Sequence, residues 1–258
     1  MRSVAAISKL ALTLFLVASS LPAQTRAVAV IAHRGEHRSH PENTVAAYRS
    51  AVELGADFFE VDVRTTQDAQ LVLMHDDRVD RTTNGHGEVA KLTLAEIRRL
   101  DAGQGAQVPT LDEALDAAGR HGGVYLDCKN VDPKPLVEAI DRHRMHARVV
   151  VYGRPDFLRD VLRLKPELKV MAEAVAPQVL SDLVASLGLR VAAFDARDWN
   201  PATIAVARKA GIDLYVDRLG ADDNAASWQA AVDSGATGIQ TDHPGELVRF
   251  LRERGWHR

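Results

Sequence analysis

One cysteine, Cys128, stands among 258 residues, so no intramolecular disulfide can form and core packing must hold the fold together. Charge of one sign is also scarce: 32 basic against 35 acidic residues leave a formal net charge of −3, with no concentrated block. Charge alone would therefore hold neither a nucleic-acid backbone nor an anionic membrane, which points to a small or monomeric substrate rather than a polymer. Long apolar runs are missing too, apart from the uncharged residues 10–21. That run is too short to span a bilayer comfortably. It lies between basic Arg2 and Lys9 and the small residues around Pro22-Ala23 and Thr25-Arg26-Ala27, which is the layout of an export signal. No lipid-accepting cysteine follows it. The expectation is a signal peptide over about residues 1–27, cleaved after Ala23 or Ala27, and a periplasmic or secreted chain with no stable membrane insertion after cleavage. An uncleaved anchor is the competing reading.

What is present is apolar residue, 46% of the chain, enough to build one large α/β domain or two small ones. Residues 28–32 are too apolar to have a wet face and suit a strand covered by helices on both sides. A helix over 44–54 follows, with Asn43 placed to cap it and Gly55 to end it. Strand-like runs recur at 58–64, 124–129, 149–152, 169–173, 191–195, 214–217 and 238–241. Helical patterns lie between and after them at 111–118, 135–143, 156–164, 178–187, 201–210, 225–234 and 246–254. Eight βα units over 28–258 predict a (β/α)8 TIM barrel, with an open doubly wound sheet as the alternative because periodicity does not show closure. The segment at about 65–110 is too long for a plain βα connection. It holds Leu71-Val72-Leu73-Met74, a Thr82-Thr83-Asn84-Gly85 turn in which Asn-Gly can take positive φ, and a short helix over 93–100. It reads as an insertion over the mouth at the carboxyl ends of the strands, where barrel enzymes keep their chemistry.

Glu60 and Asp62 are two apart on a strand and so share a face. They are either exposed carboxylates or a buried pair. The neighbours Phe58, Phe59, Val61 and Val63 favour burial, where two such charges repel unless a cation lies between them. All-oxygen donors suit calcium or magnesium better than zinc. Asp127 and Lys129 repeat the spacing on the next strand: Asp127 as a third ligand and Lys129 as a positive charge for phosphate, or the two as a self-satisfied pair. Cys128 then points toward the helices as a packing residue. His33 and His75 each end an apolar run, which puts two imidazoles at the mouth, able to act as base and acid near neutral pH. Arg34 offers a donor fork for phosphate oxygens, or a surface ion pair. Glu42 either approaches this site or supports the loop. His121, His143 and His146 read as surface residues.

In order and spacing, His33-Arg34-Gly35, Pro41-Glu42-Asn43-Thr44, Gly55-Ala56-Asp57, Glu60-Val61-Asp62-Val63, His75-Asp76, Arg81-Thr82-Thr83 and the closing Gly238-Ile239-Gln240-Thr241-Asp242-His243-Pro244 resemble the glycerophosphodiester phosphodiesterase family. The resemblance implies a barrel with a family insertion that hydrolyses glycerophosphodiesters to glycerol 3-phosphate and an alcohol. It implies a divalent cation on Glu60, Asp62 and Asp127, His33 and His75 as the acid/base pair, and Arg34 with Lys129 on the phosphate. Two departures stand out. Asp127 takes a place where the family usually has Glu, and residues 214–220 lack the tryptophan that relatives often carry there. Asp195, Asp217 and Arg218 end late strands, where they either contact the alcohol or pair with one another, and Asp242 can brace the mouth. Two other functions fit the pattern: an exported phosphodiester-binding protein without turnover, and a related barrel phospholipase acting on lipid or lysolipid. The polar composition of residues 77–102 argues against the second.

Overall fold

The computed structural model describes residues 27–258; the segment read as an export signal lies outside the described residues. Strand β1 (Ala29–Ala32) is hydrogen-bonded along both edges, in parallel to β2 (Phe58–Thr65) and to β9 (Gly238–Thr241). Those two pairings close the sheet in the order β1-β9-β8-β7-β6-β5-β4-β2, which rules out the open doubly wound alternative. The remaining barrel strands are β4 (Gly123–Asn130), β5 (Val149–Tyr152), β6 (Val170–Glu173), β7 (Val191–Phe194) and β8 (Asp213–Asp217). The helices that cover them are α1 (Val45–Glu53), α3 (Leu111–Ala117), α4 (Pro133–His143), α5 (Pro155–Leu164), α6 (Pro177–Leu187), α7 (Pro201–Ala210), α8 (Ala225–Asp233) and α9 (Pro244–Arg252). Several helices begin one or two residues earlier than the apolar pattern suggests. Their starts are prolines, whose fixed φ and missing N–H suit the first turn.

Alternation along each strand separates two apolar layers. Val30, Phe59, Val61, Leu126 and Cys128 pack outward against the helices. Ile31, Tyr125, Val150, Met171, Val191 and Tyr215 fill the barrel interior. Glu60, Asp62, Asp127 and Lys129 share the parity of the interior set, so the same alternation that builds the core delivers them to the mouth.

The N-cap of α1 is Thr44, whose side chain accepts from the Ala47 N–H, and not Asn43. Asn43 takes a positive φ of 55° instead. Its amide donates to Asp62 Oδ2 at 2.8 Å, and its carbonyl oxygen accepts from the Tyr48 hydroxyl at 3.0 Å. The insertion pairs β3 (Leu71–Leu73) antiparallel to β2 and adds the single turn α2 (Leu94–Ile97). It has its own small core of Val72, Met74, Val79, Val89, Ile97, Ala102 and Val108. Its Thr82–Gly85 turn forms with neither Asn84 nor Gly85 at positive φ. A Cβ on Gly85 would lie 2.6 Å from a methyl of the Leu100 side chain, which would have to shift to admit it.

Gly35 is where backbone conformation and packing both demand glycine. Its φ is +79°, and a Cβ would lie 2.7 Å from the carbonyl carbon of Ala47. Gly35→Ala is expected to destabilise the fold by about 1–3 kcal/mol, from the left-handed backbone and the collision with α1 together. An unchanged urea-unfolding midpoint would contradict this account.

Candidate active site

The chain turns sharply as β1 ends, because Arg34 (φ 53°) and Gly35 (φ 79°) are consecutive left-handed residues. The turn aims the Arg34 backbone N–H at Glu60 Oε2, 2.8 Å away. The Arg34 guanidinium donates to Glu42 at 3.0 Å, while its buried Nε lies 3.5 Å from Asp62 Oδ2 without a hydrogen-bond partner. That leaves donor capacity at the cavity, which Arg34 lines. Glu42 thus supports the loop and touches the phosphate candidate at once.

Each histidine has Nδ1 held by a carboxylate. His33 Nδ1 lies 2.8 Å from Asp242 Oδ1, and His75 Nδ1 lies 2.7 Å from Asp76 Oδ1. Such a contact fixes the tautomer and leaves Nε2 for chemistry. Asp242 is itself set by Asp223, whose carboxylate accepts from the Asp242 N–H, the Thr241 hydroxyl and the Trp228 indole. His37, which sequence reading passed over, completes this corner: its Nδ1 is 2.8 Å from the His33 carbonyl and its Nε2 is 3.5 Å from Asp242. Around His75, Arg81 of the insertion clamps Asp76 at 2.7 and 3.0 Å and reaches Glu42 at 2.8 Å. Hydrogen bonds from Arg81, then from His75, hold the Asp76 carboxyl far below the usual carboxylate range. Asp242→Asn should lower turnover by roughly 10²–10⁴, because a carboxylate on Nδ1 sets the tautomer and orientation of an acid/base imidazole. Its pH–rate profile should shift as well, and a profile superimposable on wild type would refute the orienting role.

Glu60 and Asp62 are 2% and 1% exposed, and Asp62 stands in register with Asp127 on β4. One carboxylate oxygen from each of the three lies within 4.8 Å of the others. Lys129 Nζ is 2.5 Å from Asp127 and 3.1 Å from Asp62. Burial, then Asp62 and Asp127, push the Glu60 carboxyl well above its ordinary pKa, and burial raises Asp127. Burial opposes the charge on Lys129, but Asp127 and Asp62 outweigh it and raise its pKa. This donor set fits a hard divalent cation: three convergent carboxylates with more negative charge than a single ammonium offsets. Cys128 is buried on the outer face, and burial raises its thiol pKa, as suits a packing residue.

The same cavity is also lined by Tyr125, Tyr152, Glu173, Asp195, Asp217 and Gln240. Asp195 and Asp217 therefore reach it as the strand ends suggest, but Arg218 does not. Alternation turns Arg218 outward, where Nη1 donates to the Asp217 carbonyl at 3.0 Å and the guanidinium lies 6.0 Å from the Trp199 ring. Glu173 and Gln240 end or nearly end barrel strands, a position that could have flagged them.

Desolvation, then Asp195, Asp127 and Glu173, raise Asp217 to a pKa of about 7. A folded pKa above the unfolded one means the charge costs stability as pH rises above about 4, fully so beyond pH 7, and costs none below 4. Asp217→Asn should therefore raise the melting temperature at pH 8 and leave it unchanged near pH 4. Equal effects at both would disprove the charge explanation.

The model of the glycerophosphoryl diester phosphodiesterase family matches residues 33–246. A glycerophosphodiester phosphodiesterase of Caldanaerobacter subterraneus is 34% identical over 88% of this chain and 98% of its own. A crystal structure of glycerophosphodiester phosphodiesterase from Agrobacterium tumefaciens, 31% identical, superposes with a TM-score of 0.77 over 84% of this chain and 97% of that one. An Oleispira antarctica phosphodiesterase, solved in complex with the product sn-glycerol-3-phosphate, shares the fold at a TM-score of 0.80 and 23% identity, over 88% of this chain and 97% of that one. With its closed barrel and its motif residues gathered at one mouth, the chain belongs to the glycerophosphoryl diester phosphodiesterase family and is a phosphoric diester hydrolase.

Proposed function

We propose that the protein hydrolyses small, water-soluble glycerophosphodiesters to glycerol 3-phosphate and an alcohol, using one divalent cation, calcium or magnesium, and that it does so after export. The observation that carries this reading is the pairing of two carboxylate-held imidazoles with a buried cluster of three carboxylates in one cavity. The product bound to the Oleispira antarctica protein supports glycerol 3-phosphate as the released ester. Export rests on the N-terminal sequence pattern.

Glu60, Asp62 and Asp127 would hold the cation, which when bound supplies a Lewis acid that polarises the phosphoryl group. Arg34 binds a phosphate oxygen through the unpartnered Nε and orients the diester. Lys129, held beside Asp62 and Asp127, adds a second positive charge beside the phosphate. One imidazole of the His33 and His75 pair takes a proton from the attacking oxygen, and the other delivers one to the departing alkoxide. Asp242 and Asp76 keep the two rings in register by holding each Nδ1. The test is release of glycerol 3-phosphate from glycerophosphocholine by the purified protein with calcium or magnesium. No release with either ion would overturn the reading, and turnover confined to lipid vesicles would replace it with phospholipase activity.

A further inference from the structure

We propose that the wall formed by Glu173, Asp195 and Asp217 selects diesters whose alcohol carries a positive charge, a primary or quaternary ammonium. This rests on the diesterase reading above and names the substrate class of the same cavity. The strand order places the ends of β6 and β7 across the barrel from β1 and β2. Glu173 and Asp195 therefore face the side that carries Arg34, Glu60 and Asp62. A diester held by its phosphate near Arg34 and Lys129 extends its alcohol toward these acids.

Three independent features of that wall call for a cationic group. First, Glu173, Asp195 and Asp198 bring carboxylate oxygens within 4.8 Å of one another, and Asp217 lines the same cavity. Among the described residues no Lys or Arg is within ion-pair distance of Glu173 or Asp217. Asp195 and Asp198 share Arg197, whose side chain is 77% exposed, so that pairing is screened by water. Second, Gln240 is only 7% exposed, lines the cavity, and stands in register with Asp217, yet its Oε1 has no hydrogen-bond partner. A buried acceptor left open costs free energy that the N–H donors of a primary ammonium recover, whereas a quaternary ammonium, with no N–H, meets only its partial negative charge. Third, Tyr125 and Tyr152 belong to the barrel interior and line the same space, and aromatic faces attract ammonium groups. An alcohol bearing a negative charge would meet only repulsion there, and a neutral one would leave the acids without a counter-charge.

The experiment compares kcat/KM for glycerophosphoethanolamine and glycerophosphocholine with that for glycerophosphoglycerol, whose alcohol is neutral. Wild type should favour the cationic alcohols roughly tenfold. In the double variant Glu173→Gln, Asp195→Asn the ratio should fall toward one, chiefly through KM. The ratio is read on a single protein sample, so partial misfolding does not move it. A wild-type ratio near one, or a variant that loses activity equally on all three diesters, would overturn the proposal in favour of hydroxyl recognition. A second calcium or magnesium ion that titrates calorimetrically in wild type and is lost in the variant would overturn it in favour of a metal site. The same ratio measured as Kd in His75→Ala protein keeps the preference testable by itself. No turnover of any diester would sink the diesterase reading, whereas equal turnover of all would sink only the selectivity.

Discussion

Replacing His33 or His75 with Ala is expected to lower turnover by roughly 10²–10⁴, the range spanned by loss of a positioned acid or base. The two rings approach the cavity from different elements: His33 from the end of β1, His75 from just past β3 in the insertion. Each is fixed by its own carboxylate, Asp242 or Asp76. Single substitutions should therefore depress kcat with little change in KM, because neither imidazole is needed to hold the phosphate. The two variants should also differ in kind. A substrate with an activated leaving group, such as an aryl diester, needs little proton donation. Whichever variant is rescued by it has lost the acid, and the other has lost the base. Near-normal kcat in both variants, or identical rescue of both, would remove the histidines from the chemistry.

Glu60→Gln should cost about 10³ in turnover, the loss associated with several kcal/mol of missing charge stabilisation at a metal-assisted site, and excess chelator should do the same to wild type. The substitution keeps the side-chain oxygen that accepts from the Arg34 N–H, so the turn at the end of β1 should survive it. Stability should move in the opposite direction to activity. Burial and the two neighbouring acids raise the Glu60 pKa, so its charge costs stability above the ordinary carboxylate range and costs nothing once both states are protonated. The ion-free variant should accordingly melt higher than ion-free wild type at pH 8 and should respond less to added calcium or magnesium. A variant with full activity, or wild type that keeps its rate in excess chelator, would disprove the assigned ligand set.

Most of the barrel was legible because its strands are short, doubly covered and separated by helical patterns, a repeat that needs no partner to be read. The same holds for Glu60, Asp62, Asp127 and Lys129. Period-two alternation sends them to one face of adjacent strands whatever the curvature of the sheet. The insertion was visible by length, and its link to the site was not: Arg81 reaches Asp76 five residues away and Glu42 thirty-nine residues away, and only the second contact ties it to the barrel. Asn43 illustrates the opposite failure. Its type and place satisfy the local rule for a helix cap, but its side chain is taken up by Asp62, across the fold, and by Tyr48 of α1, and Thr44 makes the cap instead.

Local chemistry and periodicity, which act over a few residues, decided the eight-unit repeat, the face each acid occupies and the motif residues of the mouth. Closure was decided elsewhere, by β1 finding β9 more than 200 residues along the chain. The same closure brings Asp242 to His33 and sets Glu173 and Gln240 in the cavity with Asp195 and Asp217, while Arg218, just past the end of β8, lies toward Trp199. These are contacts between residues far apart in sequence. Their free energy exists only once the intervening chain has been ordered, so no window of the sequence contains it.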